Sequence, residues 1–540
     1  MPLRSLQHLR DLSQRLALKA GGLLLLIFIT ACAAPFSIQK TEYDPKIASR
    51  LFTNGFSYVT EFYIEEIDVS RLALAGMDNL STIDPELEII DSGNSLTVTY
   101  AGEPVSRYGY PSTLDNKAWA RLTSSVISEA ETRSSDFQHA TGEQIYQAVF
   151  DGILGELDKF SRYSRPDQAN NNRDNRNGFG GLGIRYIKDP KGAHILSVME
   201  NTPAESVGLQ PGDIITKVGN KDISQLSETS ITHMLKGPEG SSVRITVLRD
   251  PEKPQTLNYE IIRKRIVVQT VNYSAHDNIA YIQISGFNRS TTSNMRRKVR
   301  KAQKEMGKDL KGYILDLRNN GGGLLREAVN TADLFISSGP IVSTRGRHPD
   351  SHQYSAAHSQ DIAKGLPIIV LINSYSASSS EILAAGLQDS GRAIIIGSNS
   401  YGKGTVQKVL QLPNRAEIAI TWARFHAPSG YAIHKRGIIP NICTTTGDTD
   451  TVDDVIALLK SGSLPISSDI RSSSPSLDDE TALDNIKSSC PQSAEPSELE
   501  RDIAELLLLN PSLFSLAKGH SSPVTTDVIE LDPSQQSNAF

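Results

Sequence analysis

The chain has 540 residues, which implies two to four domains rather than one. With 38% apolar and 21% charged residues it has the composition of a globular protein, and a net charge of −6 gives no electrostatic case for nucleic-acid binding. The one dense basic run, Arg296 to Lys304, reads as the solvated face of a helix.

At the start of the chain, Arg4, Arg10, Arg15 and Lys19 precede an apolar run, Gly21 to Ile29, that is short for a bilayer span. It ends in Ile29-Thr30-Ala31-Cys32, which resembles the bacterial lipobox, whose cysteine is diacylated and becomes the first mature residue. Residues 1–31 are therefore expected to be a lipoprotein signal peptide and Cys32 the lipidation site, with two acyl chains giving a stable membrane anchor. An ordinary cleaved signal with an incidental cysteine is the alternative. Ala33, with no Asp there, implies by the same resemblance the outer membrane, on the periplasmic side of a bacterial cell envelope. Cys443 and Cys490 remain; in an oxidising periplasm they could pair, although Cys490 sits in a segment that reads as poorly ordered. Two cysteines cannot complete a four-ligand zinc site, and His348, His352 and His358 read as a surface loop, so no metal and no organic cofactor are expected.

Residues 32–176 read as a mainly helical region ending in a linker. Phe52, Phe56, Val59, Phe62 and Tyr63 recur at helical spacing, Ala148 to Leu154 begins a second amphipathic stretch, and Asn170, Asn171, Asn172, Asn175 and Asn177 mark polar chain that cannot bury a core. Residues 177–266 read as a compact β-rich unit, with strands around Ile184–Tyr186, Ile195–Val198, Ile214–Val218 and Val243–Val247, and with helices opening at Pro203 and Ser227. Residues 267–465 alternate strands (279–284, 312–317, 367–372, 393–396) with helices (291–305, 323–336, 378–388), the pattern of a mostly parallel sheet covered by helices. Residues 466–540 read as a disordered low-complexity tail with one helix at Leu499–Leu509. The expected fold is thus multidomain α/β.

Four glycine- or serine-rich turns carry the chemistry. In Gly178-Phe179-Gly180-Gly181-Leu182-Gly183-Ile184, successive backbone N–H groups can form a nest for a peptide carboxylate. With Pro203-Ala204-Glu205 and Pro211-Gly212-Asp213 behind it, the turn resembles the carboxylate-binding loop of a PDZ domain. Gly181, Leu182, Gly183 and Ile184 are then the expected site for a peptide C-terminus, which would add as a strand along Gly183–Tyr186. Asp316-Leu317-Arg318-Asn319-Asn320-Gly321-Gly322-Gly323 leaves free N–H groups between a strand and a helix. No Gly-Lys-Ser/Thr follows, so it is no P-loop, and an oxyanion hole is the other use of such donors. Asn373-Ser374-Tyr375-Ser376-Ala377-Ser378-Ser379-Ser380-Glu381 places a serine at a helix start, where it serves as an N-cap or as a nucleophile. Tyr401-Gly402-Lys403-Gly404-Thr405-Val406-Gln407 offers a lysine but no nearby histidine; a lysine acts as a base only if its amine, normally titrating near about 10.4, is desolvated.

Together these turns resemble the carboxyl-terminal processing peptidases, or tail-specific proteases, over about residues 140–445. The resemblance implies a serine endopeptidase with Ser378 as nucleophile, Lys403 (25 residues later) as general base and Gln407 orienting the lysine amine. It implies oxyanion donors on the backbone of Gly322 or Gly323 and of Ser379, and a supporting role for Asp389, for which pairing with Arg392 is an equal alternative. Protein or peptide substrates with exposed apolar C-termini are implied as partners; an adaptor lipoprotein or a homo-oligomer is compatible, and nucleic acid is not. Gly321, Ser379 and Asn441 stand where the family usually has Pro, Ala and Asp. The competing reading is a catalytically inactive lipid-anchored PDZ scaffold.

Overall fold

The computed structural model describes residues 43–250 and 253–519. The lipobox and Cys32 lie outside the described residues. The chain divides into two compact units, one built from residues up to Thr53 together with Leu72–Ile153, the other from Asn54–Arg71 together with the chain from Leu154 onward.

The first unit packs the helices Asn116–Arg133 and Gly142–Gly155 around buried Phe52, Trp119, Phe137 and Phe150. Asp115 caps the first of these, accepting the Ala118 N–H at 2.9 Å. The region is helical as expected, but it also carries an antiparallel sheet of Leu87–Asp91, Ser95–Tyr100 and Glu103–Gly109. Few of its apolar side chains are fully buried, among them Leu87, Leu96 and Val98, so its alternation is weak in the sequence.

In the second unit, residues 179–266 form an antiparallel sheet in the order Gln255–Ile262, Ser242–Arg249, Ile214–Val218, Gly192–Val198, Ile184–Asp189. Ile184–Asp189 ends this order, and its outer edge faces the helix Glu228–Leu235; Tyr186 Oη lies 2.6 Å from Thr232 Oγ1 across the gap. The following sheet runs Val271–His276, Ile279–Ile284, Gly312–Asp316, Ile368–Ile372, Ile394–Gly397, Ile442–Cys443, parallel throughout except for the first pair. Beside it stands an antiparallel sheet built around Glu417–His426, which pairs with Pro340–Arg345, with Thr405–Gln411 and with Arg162–Ser164.

A parallel sheet needs both faces covered. Here Thr291–Met306, Leu325–Asp333 and Ser379–Asp389 supply side chains to one face. Leu459, Ile503, Ala504, Leu507 and Leu508 cover Ile314, Ile369, Leu371, Ile394 and Ile396 on the other. Leu459 belongs to the helix Val452–Ser461, and the other four lie in the one helix expected in the tail, at Leu499–Leu509. Residues 466–519 hold the helices Ser468–Ser472, Glu480–Ser489, Glu498–Leu509 and Pro511–Gly519. Glu498–Leu509 is the helix expected there; the others went unread because in Ser468–Ser472 and Glu480–Ser489 the apolar residues are few and spaced by Ser, Asp and Glu. A disulfide joins Cys443 and Cys490, both buried. Arg318 also ties this layer to the sheet, pairing with Asp316 at 2.8 Å and Glu500 at 2.7 Å, both carboxylates being almost wholly buried.

Candidate active site

The strand Ile368–Ile372 ends in a turn whose serines bond to the neighbouring Gly-rich turn. Ser376 Oγ donates to the Leu317 carbonyl at 2.8 Å, Ser380 Oγ to the Asn320 carbonyl at 2.7 Å, and Ser379 Oγ to the Gly323 carbonyl at 3.1 Å. Ser378 lies between them at φ 58° and ψ −115°, a backbone conformation that is costly for a non-glycine residue and is usually retained where function needs it. It caps the helix Ser379–Asp389, and the N–H of Ser379 is the first of that helix, with no intrahelical acceptor.

The turn Gly321–Gly323 lies against Ser378. A Cβ on Gly322 would come within 2.9 Å of both Ser378 Cβ and Ser379 N, so only glycine fits. Of the two expected donors there, the Gly322 N–H is already given to Asn320 Oδ1 at 2.9 Å. At Gly321 a side chain would meet open space, so packing does not require glycine there. Asn441 accepts the Ile395 N–H at 2.8 Å and the Gln388 amide at 3.1 Å, a structural role beside the sheet.

Lys403 sits on the loop between Ile394–Gly397 of the parallel sheet and Thr405–Gln411 of the antiparallel one. Its amine lies 5.1 Å from the centre of the Phe160 ring. Burial pushes its pKa down, helped by Arg162, while Glu381 and Asp158 oppose the shift. Gly404 packs so closely on His434 that an added Cβ would lie 2.0 Å from its backbone N. The His434 ring stands 6.1 Å from Phe160 and borders a cavity of ≈ 470 Å³ beside Gly402 and Thr405; burial holds its pKa at about 4.

Two expected placements differ. Gln407 is not brought to the Lys403 amine; its side-chain amide donates to Thr405 Oγ1 at 2.9 Å and Thr421 Oγ1 at 3.2 Å. A register shift between Val406 and Gln407 breaks the strand alternation at this position and re-aims the side chain. Asp389 does not pair with Arg392, which instead bonds Asp361 at 3.0 Å. Asp389 accepts the N–H and hydroxyl of Ser429 at 2.9 and 2.7 Å, at the far end of the helix that begins at Ser379, about 15 Å away by helix rise.

Glu381 went unnoticed in the sequence beyond its place in the serine run. It is fully buried, and its carboxylate accepts four hydrogen bonds: from the Ser378 N–H (2.7 Å), the Lys403 N–H (3.0 Å), the Gly402 N–H (2.7 Å) and the Ser400 hydroxyl (2.6 Å). Burial pushes its pKa up to about 7 against those bonds. A glutamate three residues into a serine-capped helix was the available signal; its reach to a loop 22 residues away was not visible.

In the β-rich unit, a groove of ≈ 800 Å³ runs between the edge strand and the helix Glu228–Leu235, bordered by Leu182, Gly183, Ile184, Val198 and Leu235. Gly183 has φ +88°, and a Cβ there would strike Thr202 at 2.3 Å. Leu182 is buried beneath the turn.

Residues 278–444 match the family model for peptidase family S41, and residues 194–249 match a PDZ domain model. A carboxy-terminal-processing protease of Bartonella bacilliformis is 38% identical over 303 residues, 56% of this chain and 69% of that one. The chain belongs to peptidase family S41. Within it, the likeness is to the carboxy-terminal-processing type of serine peptidase. A probable CtpA-like serine protease of Staphylococcus aureus (strain N315) is 32% identical over 58% of this chain and 62% of its own length. Among solved structures, a photosystem II D1 C-terminal processing protease aligns over 73% of this chain and 92% of its own at 23% identity, with a TM-score of 0.36.

Replacing Glu381 by Gln leaves one side-chain oxygen for four donors, so about two lose their acceptor in a dry site. Glu381→Gln is expected to lower stability by about 2 to 6 kcal/mol, read from urea unfolding; a loss within error of zero would show that the carboxylate does not hold the two segments together.

Proposed function

We propose that this S41 family member is a serine endopeptidase in which Ser378 is the nucleophile and Lys403 the general base. The observation that carries the reading is the shared carboxylate. Glu381 binds the backbone of both residues, so the turn that presents one and the loop that presents the other are fixed by a single group. Neutral Lys403 takes the Ser378 hydroxyl proton as the oxygen attacks the substrate carbonyl. The N–H groups of Ser379 and Gly323 receive the negative oxygen, with Gly322 available once it releases Asn320. The lysine then gives its proton to the leaving amine as the C–N bond breaks, and water, deprotonated by Lys403, hydrolyses the acyl ester. Asp389 contributes through the helix alone.

The PDZ unit takes an apolar peptide C-terminus. The edge strand Ile184–Asp189 has a free side toward the groove, the Gly181–Ile184 turn offers N–H groups to the carboxylate, and Ile184, Val198 and Leu235 offer apolar walls. The lipobox-like start supports anchoring of the mature chain through Cys32 at the periplasmic side of a bacterial membrane.

Cleavage of an unfolded protein is expected from the parent and is expected to vanish in Ser378→Ala and in Lys403→Ala, each still folded by circular dichroism. An inert parent would favour the scaffold reading, and an active Lys403→Ala would remove the lysine from the mechanism. The same assay has a pH arm. Activity should rise through an acidic limb set by Lys403, lying below the usual lysine value. Because Arg162 helps depress that pKa, Arg162→Gln should move the limb to higher pH, and less so in high salt. A limb that stays in place at low salt would show that Arg162 does not act on the base.

Gly183→Val should weaken binding of a fluorescent peptide with an apolar C-terminus by roughly ten-fold or more, because the new side chain would occupy the space of Thr202. Unchanged affinity would place the carboxylate elsewhere.

In the full-length chain expressed in bacteria, labelled fatty acid should be incorporated into the parent and not into Cys32→Ser; a parent that takes up no label, or a variant that still does, would exclude a lipid anchor at that position.

A further inference from the structure

The segment after Cys490 crosses the ends of three core strands. One of its carbonyl groups is shared by the two loops of the candidate site. Ser493 O accepts the Ser374 N–H at 2.9 Å and the Ser398 hydroxyl at 3.2 Å, and the Ser493 N–H returns a bond to the same Ser398 oxygen at 3.2 Å. Ser374 stands four residues before Ser378, and Ser398 five before Lys403. The neighbouring residues repeat the pattern. The Ala494 carbonyl accepts the Asn373 side-chain amide at 2.8 Å, and the Gln492 side-chain amide donates to the Ser400 carbonyl. Further on, the Ser497 carbonyl accepts from Arg318 at 2.8 Å, at the root of the Gly321–Gly323 turn.

The crossing is pinned at its start. Cys490 is fully buried and joined to Cys443, the last residue of the last strand of the parallel sheet, and Thr445 Oγ1 donates to the Pro491 carbonyl at 2.7 Å. At its far end Ser497 caps the helix Glu498–Leu509, which is packed on the sheet. A short segment held at both ends is stiff, and its bonds reach both the turn of Ser378 and the loop of Lys403.

We propose that residues 490–497, anchored by the Cys443–Cys490 disulfide, act as a positioning strap that sets the separation of the Ser378 turn and the Lys403 loop, so that turnover depends on a segment that touches neither substrate nor the reacting atoms. This rests on the Ser378 and Lys403 reading. Glu381 ties the same two segments from within the helix, and the strap ties them from the surface, four to five residues before Ser378 and three to five before Lys403. Two ties at different points along each segment fix its direction as well as its distance, which the near-attack geometry of a nucleophile and its base requires.

Two variants of the full mature chain test the strap. Cys443→Ser with Cys490→Ser removes the anchor. Ser398→Ala with Gln492→Ala keeps the disulfide and removes the side-chain ties to the Lys403 loop, so the test stands even if the first variant fails to fold. For each, amide hydrogen exchange is measured along the chain, and kcat and KM are measured on a quenched peptide. The expected result is faster exchange confined to residues 373–378 and 398–403, with residues 184–262 unchanged, and a kcat lower by roughly ten- to a hundred-fold at a KM within about two-fold of the parent. Exchange that rises evenly across the core would overturn the proposal, because it would mark a general loss of stability. So would local loosening with kcat unchanged. If the parent is inert and indistinguishable from Ser378→Ala, the peptidase reading fails, and the exchange pattern alone then decides for or against the strap.

Discussion

The site is organised by a carboxylate that, among the described residues, has no cation in hydrogen-bond reach. Taking the Glu381 carboxyl out of water costs free energy, and burial pushes its pKa up against the pull of its four hydrogen bonds. Such a group persists where the surrounding backbone depends on it. Three of its four donors are main-chain N–H groups, from Ser378, Gly402 and Lys403, in turns that offer them no strand or helix partner. The carboxylate satisfies them all at once. The contrast is with Arg318, where a guanidinium balances two buried carboxylates and the result is a fastening between layers. Glu381 instead fixes the relative placement of two irregular segments.

Those segments come from different sheets. Ser378 stands at the end of a parallel strand, where a strand-to-helix turn presents residues beyond the sheet edge. Lys403 stands where the chain leaves the parallel sheet for the antiparallel one. The site is therefore made at a seam, and hydrogen bonds across it replace the ladder that would hold neighbours within one sheet. The serine run follows from this. Ser376, Ser379 and Ser380 are small enough to sit in the seam, and their hydroxyls satisfy carbonyls of the Gly-rich turn that no strand reaches.

Much of this was legible in the sequence, for identifiable reasons. The core strands are continuous runs of Ile, Leu and Val with helices between them, and periodicity finds both. The motifs lie at strand ends, where their glycines and serines stand out. What the sequence concealed depends on partners far away in the chain. Gln407 was assigned by its place after Lys403, but a break in strand register and the hydroxyl of Thr421 decide where it points. Asp389 and Arg392 are three residues apart, yet each finds its partner elsewhere, in Ser429 and Asp361. The tail is the largest difference. Its helix at Leu499–Leu509 was legible from its leucines, but Ser, Asp and Glu dominate the rest, and the bare second face of the parallel sheet is what gathers the tail into a packed layer.

In the proposed mechanism, the choice of an amine over an imidazole follows from the same burial. His434 and Lys403 both border Phe160, and desolvation lowers the pKa of each because each is charged when protonated. The starting points differ. An imidazole begins at 6.5, and burial carries His434 to about 4, where it is neutral at physiological pH but a poor proton acceptor. An amine begins at 10.5, and the same loss of water lowers the Lys403 pKa, the direction that the proposed base role requires. The carboxylates of Glu381 and Asp158 and the face of Phe160 favour the charged amine, while burial and Arg162 oppose them. Burial is the largest of these influences, so under the proposed mechanism the pocket that would disable a histidine is the one that suits a lysine as the base.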